Sequence, residues 1–201
     1  RFESDAGPDP TLRTHGWSGL KEGRVVAEIA EHAGRYRLDQ VSFSDEDFFT
    51  ELKRVEGIAR GLIAERVKIR WFASGPADQL VGVTQEQFSL MRDSGCAKVT
   101  LWPDGEAPWT VEGARTEEHN SGLIEIAQKL KAAGIGARFL FSAGFPGEPA
   151  SSLAGTYRAV KALRRVDGAF ETPIGFYAPY PGTALSAQMP ELGFKPPATL
   201  D

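Results

Sequence analysis

Carboxylate side chains follow three of the segments that we interpret as strands. In chain order they are Asp45, Glu46 and Asp47, then Asp78, then Asp104. A carboxylate at a strand end can ligate a metal, act as a general base or accept hydrogen bonds from ribose and amino groups. The simpler interpretation is structural, because acidic residues favour the first turn of a helix and Pro-Asp-Gly forms turns readily. Residue types alone favour the structural interpretation in each loop.

The loops after the fourth and fifth predicted strands combine glycine, proline and an aromatic residue. The fourth contains Gly144, Pro146, Gly147 and Glu148, and the fifth contains Tyr180. Glycines around a proline give a tight turn whose backbone amides can approach a ligand closely. It is not a Walker phosphate loop, because no Gly-Lys-Ser/Thr follows. The tyrosine could line a pocket or plug the mouth of a barrel.

Residues that commonly bind metals are few. Cys96 is the single cysteine, and the three histidines are scattered without metal-ligand spacing. One cysteine cannot form an internal disulfide, which predicts a reducing, cytoplasmic compartment. It also cannot hold an iron–sulfur cluster, which needs about three or four thiolates. We expect Cys96 to be a small buried residue.

The composition is that of an ordinary globular domain. Of 201 residues, 41% are apolar and 25% are charged, and the formal net charge is -4. A negative total argues against a nucleic-acid or anionic-membrane surface, and no apolar run approaches the ~20 residues of a membrane span. The chain begins with Arg1 and stops at Asp201 in a polar, proline-bearing stretch, so we expect both ends to be cuts in a longer protein.

The elements that must position these loops alternate between two periods. An irregular lead-in, residues 1–19, precedes a single domain, residues 20–201. Helical periodicity marks a first helix from about Val25, and further helices near 48–62, 84–92, 117–133 and 150–165, with a short one from Thr183. Strands are predicted near 41–43, 67–73, 98–101, 137–142 and 172–178. Alternating helices and strands imply an α/β fold with a parallel sheet. Five strands are too few for a closed eight-stranded barrel, so an open partial barrel or a doubly wound sheet remains.

Six segments in this order resemble radical S-adenosylmethionine (SAM) proteins, across about residues 20–197. They are Phe43–Phe49, Trp71 with Ala77–Leu80, Met91–Cys96, Leu130–Ile135, Gly144–Glu148 and Tyr180–Thr183. The resemblance is to the cobalamin-dependent branch that includes the anaerobic magnesium-protoporphyrin IX monomethyl ester cyclase. It implies a horseshoe-like open partial (β/α) barrel of about five parallel strands, the C-terminal portion of a radical SAM barrel.

The resemblance also implies cofactors, partners and site residues. In the family, a three-cysteine motif binds a [4Fe-4S] cluster, SAM chelates the cluster, and the resulting radical chemistry methylates or cyclises a small-molecule substrate. A cobalamin-binding domain often lies upstream. The cofactor-binding residues implied here are Asp45, Glu46, Asp78, Asp104, Gly144, Pro146, Gly147, Glu148 and Tyr180.

The chain departs from the family pattern in four places. The three-cysteine motif is absent. Pro76 stands where family members usually carry arginine, Asp104-Gly105-Glu106 stands for Glu-Ser-Gly, and a basic turn is replaced near Arg115. A lost cation and an added carboxylate would repel the carboxylate of SAM. We therefore expect weak SAM binding, and an inactive chain that holds no cofactor tightly by itself.

Two other functions are compatible with the sequence. One is a degenerate, non-catalytic descendant that binds a ligand or a protein partner at the barrel mouth. The other is an unrelated α/β enzyme with an acidic metal site at Asp45, Glu46 and Asp47.

The cysteine count generates the first prediction. After anaerobic reconstitution with iron and sulfide, this chain should carry no stable [4Fe-4S] cluster, because one thiolate cannot replace the three or four that a cluster needs. Iron analysis and the visible absorption spectrum measure this directly. About four irons per chain, with a stable cluster absorbance, would contradict the prediction.

Overall fold

The computed structural model describes residues 19–103, 117–145, 148–178 and 190–191. The helices are α1 (Glu22–Tyr36), α2 (Leu52–Ala64), α3 (Gln85–Asp93), α4 (Glu117–Ala133) and α5 (Ala150–Val166), with a short 3-10 helix at Ala77–Leu80. The strands are β1 (Gln40–Ser42), β2 (Arg70–Pro76), β3 (Cys96–Trp102), β4 (Gly136–Phe139), β5 (Phe141–Ala143) and β6 (Ile174–Phe176). No helix among these residues is long and apolar enough to cross a membrane.

The strands lie side by side in chain order, and every pair is parallel. One sheet has the order β1-β2-β3-β4, and a second pairs β5 with β6. Only Leu140 separates β4 from β5, and a parallel bridge joins Arg138 to Glu171, just before β6. The two sheets therefore form one run of five strand positions. The fourth position is made of β4 and β5, with a break at Leu140 between them. The predicted parallel α/β architecture is confirmed.

The helices form one layer. Each packs against the next in sequence, α1 on α2, α2 on α3, α3 on α4 and α4 on α5. Right-handed crossovers between strands that follow one another in space put every helix on the same face of the sheet. This arrangement favours the open partial barrel over the doubly wound sheet, which has helices on both faces.

The core lies between that layer and the sheet. Trp71, on β2, is among the largest fully buried side chains, and Phe43 and Phe48 pack around its ring. Its indole N–H donates a hydrogen bond to the Ser94 hydroxyl at 3.0 Å, and that hydroxyl donates to the Met91 carbonyl at 2.8 Å. A buried indole thus has its polar atom satisfied, and the end of α3 is fixed to the sheet.

Two predicted boundaries were wrong. The second helix begins at Leu52 and not near Phe48, because Phe48 extends the sheet edge by donating its amide to the Ser74 carbonyl at 3.1 Å. The second strand covers Arg70–Pro76 and not 67–73, because Val67 still closes α2 through the Leu62 carbonyl. The lead-in up to residue 18 and the predicted helix from Thr183 lie outside the described residues.

One predicted helix start is confirmed in detail. Thr84 accepts a hydrogen bond from the Gln87 amide, and the Gln87 side chain accepts one from the Thr84 amide. This capping box satisfies two backbone donors that the first turn of α3 would otherwise leave unpaired.

The turn from α3 into β3 generates a stability prediction. Gly95 has φ +105°, and a Cβ placed there would lie 2.0 Å from the Ile69 carbonyl oxygen. Gly95→Ala should therefore destabilise the fold by about 3 kcal/mol, from left-handed strain together with the clash. Gly34→Ala is the control, because Gly34 lies in α1 and a Cβ added there would have no neighbour within 4 Å.

Gly34→Ala should stabilise the fold by up to about 1 kcal/mol through helix propensity. Urea unfolding followed by circular dichroism measures both variants. Equal stabilities for the two would contradict the assigned role of Gly95.

Candidate functional site

The loop after β1 lies against the carboxyl end of β2. Asp45 and Glu46 are exposed, and the Ser74 hydroxyl donates to the Asp45 backbone carbonyl at 3.4 Å. Further along the loop, Thr50 accepts a hydrogen bond from the Gln79 side chain at 3.1 Å. These contacts join the acidic loop to the 3-10 helix, so the structure brings the Asp45 and Asp78 loops side by side.

The carboxylates of the acidic loop do not form a three-ligand cluster. Within the described residues, no group of three or more histidine, cysteine, aspartate or glutamate side chains could hold a metal ion. Asp45, Glu46 and Asp47 are all among them, so the structure does not support the three-carboxylate metal site that the sequence left open.

Asp78 borders a cleft of about 590 Å³ between the 3-10 helix and α4. Much of its wall is apolar, from Ala77, Val81, Leu123 and Ile126. Asp78 itself is exposed, and its backbone carbonyl accepts the Val81 amide at 3.0 Å. The cleft therefore offers an apolar surface with a carboxylate at its border.

Gly144 and Glu148 bind each other. The Glu148 carboxylate accepts the Gly144 amide at 2.6 Å and the buried Ser152 hydroxyl at 2.9 Å. Gly144 has φ +82°, which a side chain would strain. The loop thus closes on the start of α5, and a ligand that reached the Gly144 amide would have to displace Glu148.

The remaining predicted residues cannot be placed. Asp104, Pro146, Gly147 and Tyr180 lie outside the described part of the chain. Sequence reasoning did not single out the stacked pair Phe145 and Tyr177, whose ring centroids are 4.9 Å apart. This pair stands after β5 and β6, so an aromatic surface is present at that end of the edge.

Cys96 is not suited to bind an iron–sulfur cluster. It is the single cysteine of the chain and is fully buried at the start of β3. Burial raises the pKa of its thiol, and the nearby Arg92 charge opposes this only partly. A neutral, enclosed thiol without partners cannot hold a [4Fe-4S] cluster.

Sequence reasoning also missed the residues on the face of the sheet opposite the helices. We call this surface the helix-free face, and it carries Phe72, Ser74, Lys98, Thr100, Arg138 and Glu171. The register aligns Ser74, Thr100, Arg138 and Glu171 in one row across the strands. Their neighbours along the strands, such as Val99, Ala137 and Phe139, are buried under the helices. The signal was available, because apolar and polar residues alternate in β3 and β4, whereas strands buried on both faces are apolar throughout.

Three charged side chains meet on this face. The Lys98 ammonium lies 2.7 Å from one Glu171 carboxylate oxygen, and the Arg138 Nε lies 3.7 Å from the other. The hydrogen bond from Lys98, its charge and the weaker effect of Arg138 lower the pKa of Glu171. Glu171 is therefore ionised at neutral pH, and the cluster has two cations and one anion.

Comparison with known proteins supports the architecture. No family model matches the chain. A protein of Pyrococcus horikoshii, described as an uncharacterized methyltransferase, is 26% identical over 169 residues, which cover 84% of this chain and 35% of that protein. The chain therefore spans about a third of that relative's length.

Solved structures also resemble this chain over about a third or less of their own length. The radical SAM methyltransferase TsrM from Kitasatospora setae, with cobalamin and a [4Fe-4S] cluster bound, has a TM-score of 0.62 at 20% identity. The match covers 85% of this chain and 31% of TsrM. The chain therefore has the fold of the matched part of TsrM. The cobalamin-dependent radical SAM enzyme OxsB gives a TM-score of 0.55 at 16% identity, over 86% of this chain and 26% of OxsB.

The Glu148 contacts generate a prediction. Glu148→Ala should destabilise the fold by about 1–3 kcal/mol, because it leaves the buried Ser152 hydroxyl without its acceptor. Glu46→Ala is the matched control, an exposed carboxylate that should change stability by less than about 0.5 kcal/mol. Urea unfolding measures both. If Glu148→Ala left the free energy of unfolding unchanged, these hydrogen bonds would not be what holds the loop.

Proposed function

We propose that this chain is part of a cobalamin-dependent radical SAM methyltransferase that acts on a small molecule. The observation that carries the proposal is the one-sided run of parallel strands, which matches TsrM over 85% of the chain. A second TsrM structure contains tryptophan as substrate and a SAM analogue. The Pyrococcus horikoshii relative is also described as a methyltransferase. These neighbours favour methylation over the cyclisation that the sequence resemblance left open.

In this proposal the chain supplies one wall of a reaction chamber. Its share is the helix-free face, with the loops of Asp45 and Asp78 on one side of the carboxyl edge and the Phe145–Tyr177 stack on the other. The iron–sulfur cluster must be held by other parts of the protein, because Cys96 does not fit it. We assign cobalamin to an upstream domain, as in the family that the sequence resembles. SAM, when bound, supplies the methyl group.

A non-catalytic descendant is the second candidate. One observation favours it: Pro76 is buried in β2 opposite Trp102, so no cation is present at the position where the family usually carries arginine. Without that cation the carboxylate of SAM loses an expected partner.

The test is calorimetric titration of SAM into the whole protein, reconstituted anaerobically with iron, sulfide and cobalamin. We expect binding weaker than micromolar, because of Pro76 and Glu106, together with transfer of the SAM methyl group to a small-molecule substrate. The Asp104→Ala variant should bind SAM more weakly still, since a carboxylate can accept hydrogen bonds from hydroxyl and amino groups. Asp93→Ala, an exposed change on α3, is the control.

Two outcomes would decide against parts of this proposal. No detectable SAM binding by a folded, cluster-loaded protein would favour the non-catalytic descendant. Micromolar binding that is lost in Asp104→Ala would show that the sequence departures do not weaken the site.

A further inference from the structure

We propose that Lys98 and Arg138 bind the carboxylate of a substrate whose apolar or aromatic body lies on the helix-free face. This inference rests on the proposed function, because it names a class of substrate for the same chamber. It is carried by three features of the described residues: an excess of positive charge, a glycine that lets the lysine stem cross β4, and apolar surface beside the charged groups.

The charge is unbalanced. Lys98 pairs closely with Glu171 at 2.7 Å, whereas the Arg138 contact with the same carboxylate is 3.7 Å, beyond hydrogen-bond range. A guanidinium prefers two parallel hydrogen bonds to one carboxylate. Glu171 does not give Arg138 that arrangement, so a second carboxylate would find a suitable cation beside it.

A glycine lies under the Lys98 side chain. Lys98 aligns with Gly136 on β4, and it passes this residue to reach Glu171 beyond. A Cβ at Gly136 would lie 3.4 Å from the Cβ and Cγ atoms of Lys98 and 3.2 Å from the Ala97 carbonyl oxygen. The missing side chain therefore leaves room for the lysine stem to cross β4 toward Glu171.

Polar and apolar partners flank the cations. The Thr100 hydroxyl lies in the same row as Arg138 and can donate a hydrogen bond to a carboxylate. Phe72 aligns with Lys98 on one side. Leu140, which is 37% exposed, follows Arg138 on the other. A ligand with a charged end and an apolar body matches this surface.

The distribution of charge around the helix-free face favours an anion at Lys98 and Arg138. The carboxylates of Asp45, Glu46 and Asp78 are exposed on the loops at the carboxyl edge, where they repel anions. Lys98 and Arg138 lie within strands β3 and β4, away from those loops, and Arg138 is exposed whereas Lys98 is half-buried. Parallel sheets are normally covered on both faces, and a ligand of mixed polarity suits this face better than an apolar protein layer does.

The test is a titration of the chain with phenylacetate, compared with phenylacetamide, its neutral counterpart of the same shape. Binding is followed by nuclear magnetic resonance shifts of the β3 and β4 backbone amides, with no SAM present. We expect phenylacetate to bind more tightly than the amide. Lys98→Gln and Arg138→Gln should each weaken phenylacetate binding by about two- to fivefold, the range of a partly exposed ion pair.

A third variant should change phenylacetate affinity in the opposite direction. Glu171→Gln removes the competing carboxylate, so it should tighten phenylacetate binding by about two- to fivefold. The matched controls are Lys53→Gln on α2 and Arg158→Gln on α5, both exposed and away from this face. They should leave the affinity unchanged. Circular dichroism checks that each variant remains folded.

The result that would overturn the proposal is equal affinity for acid and amide, no binding of either, or affinity unchanged in both cation variants. Because SAM and the cluster are absent from this titration, its failure would leave the proposed methyl transfer to its own test. Conversely, charge-dependent binding with no methyl transfer in the whole protein would contradict only the proposed function.

Discussion

The structure depends on one topological constraint: each of the five strand positions lies beside the preceding one, and the paired strands all run in the same direction. With right-handed crossovers, this order sends every helix to one face. Among the described residues, the opposite face then has no helices. Core, loops and candidate site all follow from this separation, because apolar side chains collect under the helices and polar ones remain on the other side.

Close packing at the amino-terminal end of β2 and β3 keeps this arrangement in register. Trp71 is buried among aromatic rings and bonded to Ser94. Gly95 passes so near the Ile69 carbonyl that no side chain fits between them. The pairing register between β2 and β3 shifts between Trp71 and Phe72. A shift of one residue in a strand exchanges its two faces, so this joint determines which β3 residues reach the helix-free face.

The two ends of the carboxyl edge are built differently. At the β1 and β2 end, exposed carboxylates lie on loops held by backbone and amide hydrogen bonds. At the β5 end, Glu148 is used to hold its own loop. A carboxylate that accepts two internal hydrogen bonds is less available to a ligand than one facing solvent. The cluster of Lys98, Arg138 and Glu171 lies between these ends, where two cations share one carboxylate.

The class of fold and several local features could be predicted from the amino-acid pattern. Alternating helical and strand periods predicted the parallel sheet, and Thr84 with Gln87 predicted the start of α3, because both signals are local and repeat along the chain. Boundaries were less accurate where tertiary contacts overrode local pattern, as at Phe48, which joins the sheet edge.

Which polar residues meet could not be predicted in this way. Lys98, Arg138 and Glu171 are far apart in the chain, and strand register alone brings them into contact. The partner of Glu148 was equally hidden, since a carboxylate in a glycine loop can bind a ligand or its own backbone with the same residue types. Local propensity is encoded by neighbours in sequence, whereas a site is formed by neighbours in space, and that is the physical reason for the difference.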